Sequence, residues 1–167
     1  MPYTFDFFIL NRSKYDPSDF LKWNIQVKLN SPNLHPEFKS ICLNGNFFEC
    51  VWDCYQSIPC HWPHQNMKTY NGLDRIGPGV IFSDGAKKLL DITKHLIALF
   101  SAAPKNFTLE NGVFWVSDAD QISIQDITSD QNSFDRDDII GELEKLKQIA
   151  REIAQSDKTH FIGYHGL

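Results

Sequence analysis

Residues 79–101 read Gly-Val-Ile-Phe-Ser-Asp-Gly-Ala-Lys-Lys-Leu-Leu-Asp-Ile-Thr-Lys-His-Leu-Ile-Ala-Leu-Phe-Ser, and the change of period inside this stretch decides the fold. Gly79 to Phe82 is a short, continuously apolar run of strand length. From Ser83, which can serve as a helix cap, Ala86, Leu89, Leu90, Leu96, Ile97 and Phe100 recur with the helical period, Thr93 falling between them. Pro104 sets the end of this predicted helix, which runs to about Ser101.

Upstream, Tyr3 to Leu10 places Tyr3, Phe5, Phe7 and Ile9 on one face, the alternation of a half-buried strand. Asp16-Pro17 and Ser18-Asp19 carry turn and cap chemistry for a short helical turn through Phe20 to Trp23. A second strand is expected over Asn24 to Asn30, where Ile25, Val27 and Leu29 alternate. Ile41 to Tyr55 reads as a hairpin around Asn44-Gly45, a dipeptide suited to the positive dihedrals of a tight turn. Its second arm would show Phe48, Cys50, Trp52 and Cys54 on one face. Pro59 to Pro78 reads as a long irregular loop containing Cys60-His61-Trp62-Pro63-His64.

Downstream, Phe107 to Leu109 and Val113 to Val116 flank Glu110-Asn111-Gly112 as a second predicted hairpin, with a further strand over Ile122 to Ile127. Ser133 or Asp135 is the expected cap of a second long helix from about Arg136 to Gln155, whose apolar stripe is Ile139, Leu143, Leu146, Ala150 and Ile153. Strands grouped by hairpins, with two amphipathic helices, predict an α+β fold: an antiparallel sheet with the helices packed on it. The length of 167 residues fits one domain, and neither a repeat nor a linker divides it.

Composition excludes several classes. Hydrophobic residues make up 42% and charged residues 22% of the chain, a globular mix that argues against disorder. No apolar run is long enough for a membrane-spanning helix: Leu89 to Phe100 is broken by Asp91, Lys94 and His95. The apolar run Phe5 to Leu10 has neither a basic leader nor a small-residue cleavage site, so four Cys are expected to be reduced thiols in the cytoplasm. Lys and Arg are scattered, which argues against nucleic-acid binding by counterion release.

The motif search sets aside most catalytic chemistry. Gly77-Pro78-Gly79 precedes a strand and lacks a following Lys-Ser/Thr, so it reads as a turn and not as a phosphate loop. Asp118 and Asp120 open like a calcium loop, but Ser123 stands where Gly is needed and Ser129 where a bidentate Glu is needed. Cys50, Cys54, Cys60, His61 and His64 are the right ligand types for zinc at the wrong spacing, and Cys50 and Cys54 read better as small buried hydrophobes. A Cys60 nucleophile with His61 or His64 as base would need neighbours in sequence to face each other. No cofactor and no metal ligand set is assigned.

The positive signal is electrostatic. Asp118 to Asp138 contains seven Asp and one Arg, a formal charge of −6; since the whole chain carries −5, the remainder is +1. Asp135, Asp137 and Asp138 are explained by a helix N-terminus, where negative charge opposes the macrodipole. Asp118, Asp120, Asp126 and Asp130 are not, and they are the candidate partner-binding residues, able to steer a basic protein.

Gly72-Leu73-Asp74-Arg75-Ile76-Gly77-Pro78-Gly79-Val80-Ile81, then Leu99-Phe100-Ser101-Ala102-Ala103-Pro104, then the segment around Leu109 and Trp115 resemble the small immunity proteins of bacterial contact-dependent inhibition and polymorphic toxin systems. The resemblance covers the middle third of the chain. It implies a small, acidic, cytoplasmic, non-enzymatic protein that neutralises a toxin domain by binding over or near its active site. The competing expectations are an enzyme, metal-dependent or Cys/His-based, using the Cys50 to His64 region, or a regulatory interaction module.

Overall fold

The computed structural model describes residues 4–19, 39–74, 77–110, 131–156 and 158–165. Six strands among them form one antiparallel sheet. The first, β1 (Thr4–Asn11), pairs on one side with β2 (Ser40–Asn44) and on the other with the carboxy-terminal β8 (His160–His165). Beyond β8 lie β5 (Pro78–Ile81), β3 (Pro59–Trp62) and β4 (Lys68–Asn71), giving the order β2-β1-β8-β5-β3-β4. A separate two-stranded ribbon joins β6 (Asn106–Glu110) to β7 (Gln131–Asp135).

Among the described residues three α-helices accompany the sheet: α1 (Gly45–Cys50), α2 (Ser83–Ser101) and α3 (Arg136–Gln155). The two long ones pack against each other. Ala86, Leu89, Thr93, Leu96 and Phe100 of α2, and Ile139, Leu143, Leu146, Ile149, Ala150 and Ile153 of α3, are buried in one core with Phe5, Phe7, Ile9, Ile81 and Ile162 of the sheet. The α+β architecture expected from the sequence is therefore the observed one. Thr93 sits in this core because its hydroxyl donates to the Leu89 carbonyl at 2.7 Å, which satisfies it internally.

Strand β1 is covered on both sides, not half-buried. Phe5, Phe7 and Ile9 enter the helix-covered core, while Phe8 and Leu10 join Val80 and Phe161 in a second cluster on the opposite face, with Tyr15, Met67 and Phe82 against it. A strand flanked by β2 and β8 is interior to the sheet, and its near-continuous apolar run from Phe7 to Leu10 is the mark of burial on both faces.

Several sequence expectations are corrected. The hairpin over Ile41 to Tyr55 does not form: Asn44 ends β2 and caps α1, its side-chain oxygen accepting the Phe47 amide at 3.1 Å, and a 3-10 turn over Trp52–Tyr55 follows. Asn serves caps as readily as primed turns, and Phe47, Val51 and Tyr55, all buried, repeat at the helical step of four. Pro59 to Pro78 is not irregular, since it supplies β3, β4 and the start of β5. The strand paired with β6 is β7, whose Ser133 lies in the ribbon, leaving Asp135 as the cap of α3. Ser83 lies within α2, one residue past the Phe82 cap, and donates to the Ala154 carbonyl of α3 at 3.3 Å. The helical turn expected over 20–23 and the strands expected over 24–30, 113–116 and 122–127 lie outside the described residues.

Aromatic side chains lock the ribbon to the helices. Phe47 of α1 meets Phe100 of α2 at 5.0 Å and Phe134 of β7 at 5.6 Å, and Phe107 of β6 meets Phe100 at 5.3 Å and Phe134 at 5.7 Å. This four-ring cluster fixes where β7 delivers the chain into α3. Arg136 completes the junction, its backbone amide donating to the Lys105 carbonyl at 2.7 Å and its guanidinium to the Ala103 carbonyl at 3.2 Å.

Candidate functional site

The Cys/His residues are dispersed by the strand period. Cys60 of β3 points into the core and is fully buried, whereas the next residue, His61, lies on the other face of the sheet, its Nδ1 3.1 Å from the Met67 carbonyl and its ring 4.8 Å from Phe82. His64 stands in a 3-10 turn beside Trp62, its Nε2 3.7 Å from the Asp74 carboxylate. Cys50 closes α1, partly buried against the core, whereas Cys54 is exposed and is not the buried hydrophobe expected. Among the described residues no group of three or more His, Cys, Asp and Glu side chains is placed to hold a metal ion.

The Cys60 thiol is enclosed in a hydrogen-bonded setting. It donates to the Gly72 carbonyl and accepts from the Trp62 indole at 3.2 Å and the Tyr164 hydroxyl at 3.7 Å. Burial pushes its pKa up, and the two hydrogen bonds it accepts only partly offset that rise. Nucleophilic cysteines need the opposite, a partly exposed electropositive setting that favours thiolate. The Tyr164 hydroxyl also accepts the Asp74 amide at 2.6 Å, and its ring lies where a side chain on Gly79 would stand, a Cβ there falling 2.0 Å from ring carbon Cζ. This network ties the last strand to the β4–β5 connection and has the character of a structural joint.

The other candidate lies at the start of α3. Asp135 accepts the amides of Asp137 and Asp138 at 2.8 and 3.3 Å, the capping geometry that places three carboxylates around one helix end. One turn on, the Glu142 carboxylate accepts the Asn44 amide at 2.8 Å, fastening α3 to the end of β2. Burial raises the pKa of Glu142, against the Asn44 hydrogen bond, and the charge of Asp138 adds to the rise. Asp137 is paired with the Arg136 guanidinium at 3.0 Å. Asp135, Asp137, Asp138 and Glu142, with Asn44, Gly141 and Lys145, line an open groove of about 480 Å³.

No family model, curated protein or solved structure matches this chain. Its chemistry must be read from its own residues. The sequence-derived candidates Asp118, Asp120, Asp126 and Asp130 all lie outside the described residues. The described part of the acidic segment, Asp135 to Asp138, forms one rim of the groove. Sequence reasoning gave Glu142 and Gly141 no functional role and read Asn44 only as a turn residue. The spacing of Asp138 and Glu142, four apart on one helix face, was the available signal, since like charges so placed repel.

Proposed function

We propose that this chain is a non-enzymatic binding protein that neutralises a toxin domain by docking an acidic surface on a basic partner, in the manner of the bacterial immunity proteins its middle third resembles. The observation that carries the reading is the concentration of charge: the segment 118–138 holds −6 while the remainder holds +1, and its described end opens onto a groove bordered by four carboxylates. Asp138 and Glu142 repel each other across one helical turn, an arrangement that costs fold stability and favours the approach of a cation. The burial that raises the pKa of Cys60 argues against Cys60 as the nucleophile of a Cys/His enzyme. No helix among the described residues is long and apolar enough to cross a membrane.

The test looks for a toxin domain in the reading frame neighbouring this one and pairs it with the purified chain; finding no such domain counts against the reading. Affinity is expected to weaken by about ten-fold or more as salt is raised from about 50 to 200 mM, and the combined change of Asp118, Asp120, Asp126 and Asp130 to Asn to slow association by a similar factor at low salt. An affinity indifferent both to salt and to these four changes sinks the charge-driven reading.

A further inference from the structure

The six-stranded sheet ends in two edge strands, β2 and β4. The Ile9 amide donates to the Lys39 carbonyl at 3.0 Å. In the antiparallel alternation Lys39, Ile41 and Leu43 therefore turn their backbone groups to β1, while Ser40, Cys42 and Asn44 turn theirs outward. The Glu142 carboxylate takes up the outward Asn44 amide at 2.8 Å. Among the described residues nothing takes up the outward groups of Ser40 and Cys42. An open edge is ordinarily guarded by lysine, proline or a bulge. β4 carries the exposed Lys68, whereas β2 reads Ser-Ile-Cys-Leu-Asn and runs along β1 without a bulge.

A second observation bears on what fits this edge. Two tethers, Asn44 to Glu142 and Lys39 to Glu152, hold α3 alongside β2 and antiparallel to it. Five steps along the strand match ten along the helix, as rises of about 3.3 and 1.5 Å per residue require. Ile41 thus stands level with Gln148, and both line a groove of about 340 Å³ between strand and helix. Lys145 and Glu152 line it too, three positions before Gln148 and four after. Lys145 makes no ion pair among the described residues.

The flank is therefore complementary to itself. Half a turn about an axis through Ile41, perpendicular to the sheet, sets Ser40 opposite Cys42 of a second copy and Cys42 opposite its Ser40, with the outward groups of each meeting those of the other. The same operation keeps the two α3 helices on one face, antiparallel, and turns each Lys145 toward the other copy's Glu152. A basic partner gains nothing here, because Lys39, Lys145 and Glu152 together carry +1.

We infer that β2 pairs antiparallel with β2 of a second copy, Ile41 opposite Ile41, forming a two-fold dimer whose sheet is continuous across both chains. Its interface is isologous, the same patch serving both copies. The inference does not rest on the toxin-neutralising reading.

Sedimentation equilibrium of the full chain tests it, with a dimer expected within about 1–200 μM. Ser40→Pro removes a donor that the single chain does not use, at an edge position where proline is tolerated; it is expected to give a monomer with the parent's thermal transition. Thr69→Pro, the equivalent change on the outward side of β4, is expected to leave the dimer intact. Lys145→Glu is expected to weaken association about ten-fold at low salt. Residues opposite each other as a hydrogen-bonded pair lie about 5.5 Å apart at Cα, within disulfide reach. Ser40→Cys in a Cys54→Ser background is accordingly expected to form a covalent dimer on mild oxidation, and to lose it when Cys42→Ser is added. A parent that stays monomeric throughout the concentration range overturns the inference. So does a dimer that survives Ser40→Pro, or one lost with Thr69→Pro instead. Should Ser40→Pro fail to melt cooperatively, the cross-link decides: its absence, or its persistence after Cys42→Ser, refutes the pairing.

Discussion

The phenol of Tyr55 is fully buried, stacked 4.5 Å from Phe48, and its hydroxyl has no hydrogen-bond partner among the described residues. A buried hydroxyl left unsatisfied forfeits its hydration, so Tyr55→Phe is expected to raise stability by about 1 kcal/mol in urea denaturation; a loss of stability would reveal a partner for the hydroxyl. Glu142 behaves differently because its cost depends on pH. Burial raises its folded pKa above the ordinary 4.5, so the folded state holds this proton more tightly than the unfolded state does. The associated stability is fully present below the ordinary value and is lost as pH rises through the raised one. Glu142→Gln keeps an acceptor for the Asn44 amide, so it is expected to be more stable than the parent at pH 7, with the advantage fading below about pH 4.5. A difference independent of pH, measured by denaturation at both ends of the range, counts against this account.

At the scale of elements, the long helices were legible and the short one was not. The stripes of α2 and α3 each cover several turns, so the helical period stands out above local accidents of sequence. The six residues of α1 cannot establish a period, and Asn44-Gly45 suited a turn and a helix cap equally. Capping also separates two residues that the sequence left as alternatives. Asp135 receives the first amides of α3 while Ser133 pairs with Thr108 in the ribbon. Asp135→Ala is accordingly expected to cost about 1 kcal/mol, read as a lower urea midpoint, and Ser133→Ala to cost much less. Equal effects of the two changes would contradict the assignment of the cap.

For the molecule as a whole, the element that organises the sheet is the last one in the chain. β8 lies between β1 and β5 and buries Phe161, Ile162 and Tyr164 completely. Truncating any one such side chain costs about 2–5 kcal/mol, and a domain has only about 5–15 kcal/mol in all. Removal of residues 160–167 is therefore expected to abolish the cooperative unfolding transition seen by far-ultraviolet circular dichroism; a truncated chain that still melts cooperatively would show the sheet to be independent of β8. From the sequence, His160 to His165 carried no sign of this role, because the short run Phe161-Ile162-Gly163-Tyr164 between two histidines does not say which neighbours it will pair with. The zinc-like residue set failed for a related reason: strand alternation sends Cys60 and His61 to opposite faces, and composition does not encode direction. By itself the sequence determined the α+β class, the two amphipathic helices and the bias of negative charge toward 118–138, since these depend on local period and on counting charges. Tertiary structure alone decided the strand order, the burial of β1 on both faces, and the meeting of Asn44 and Lys39 with Glu142 and Glu152 of α3. Those features join residues about a hundred positions apart, and long-range pairing is selected by the packing of the whole core, not by any local pattern.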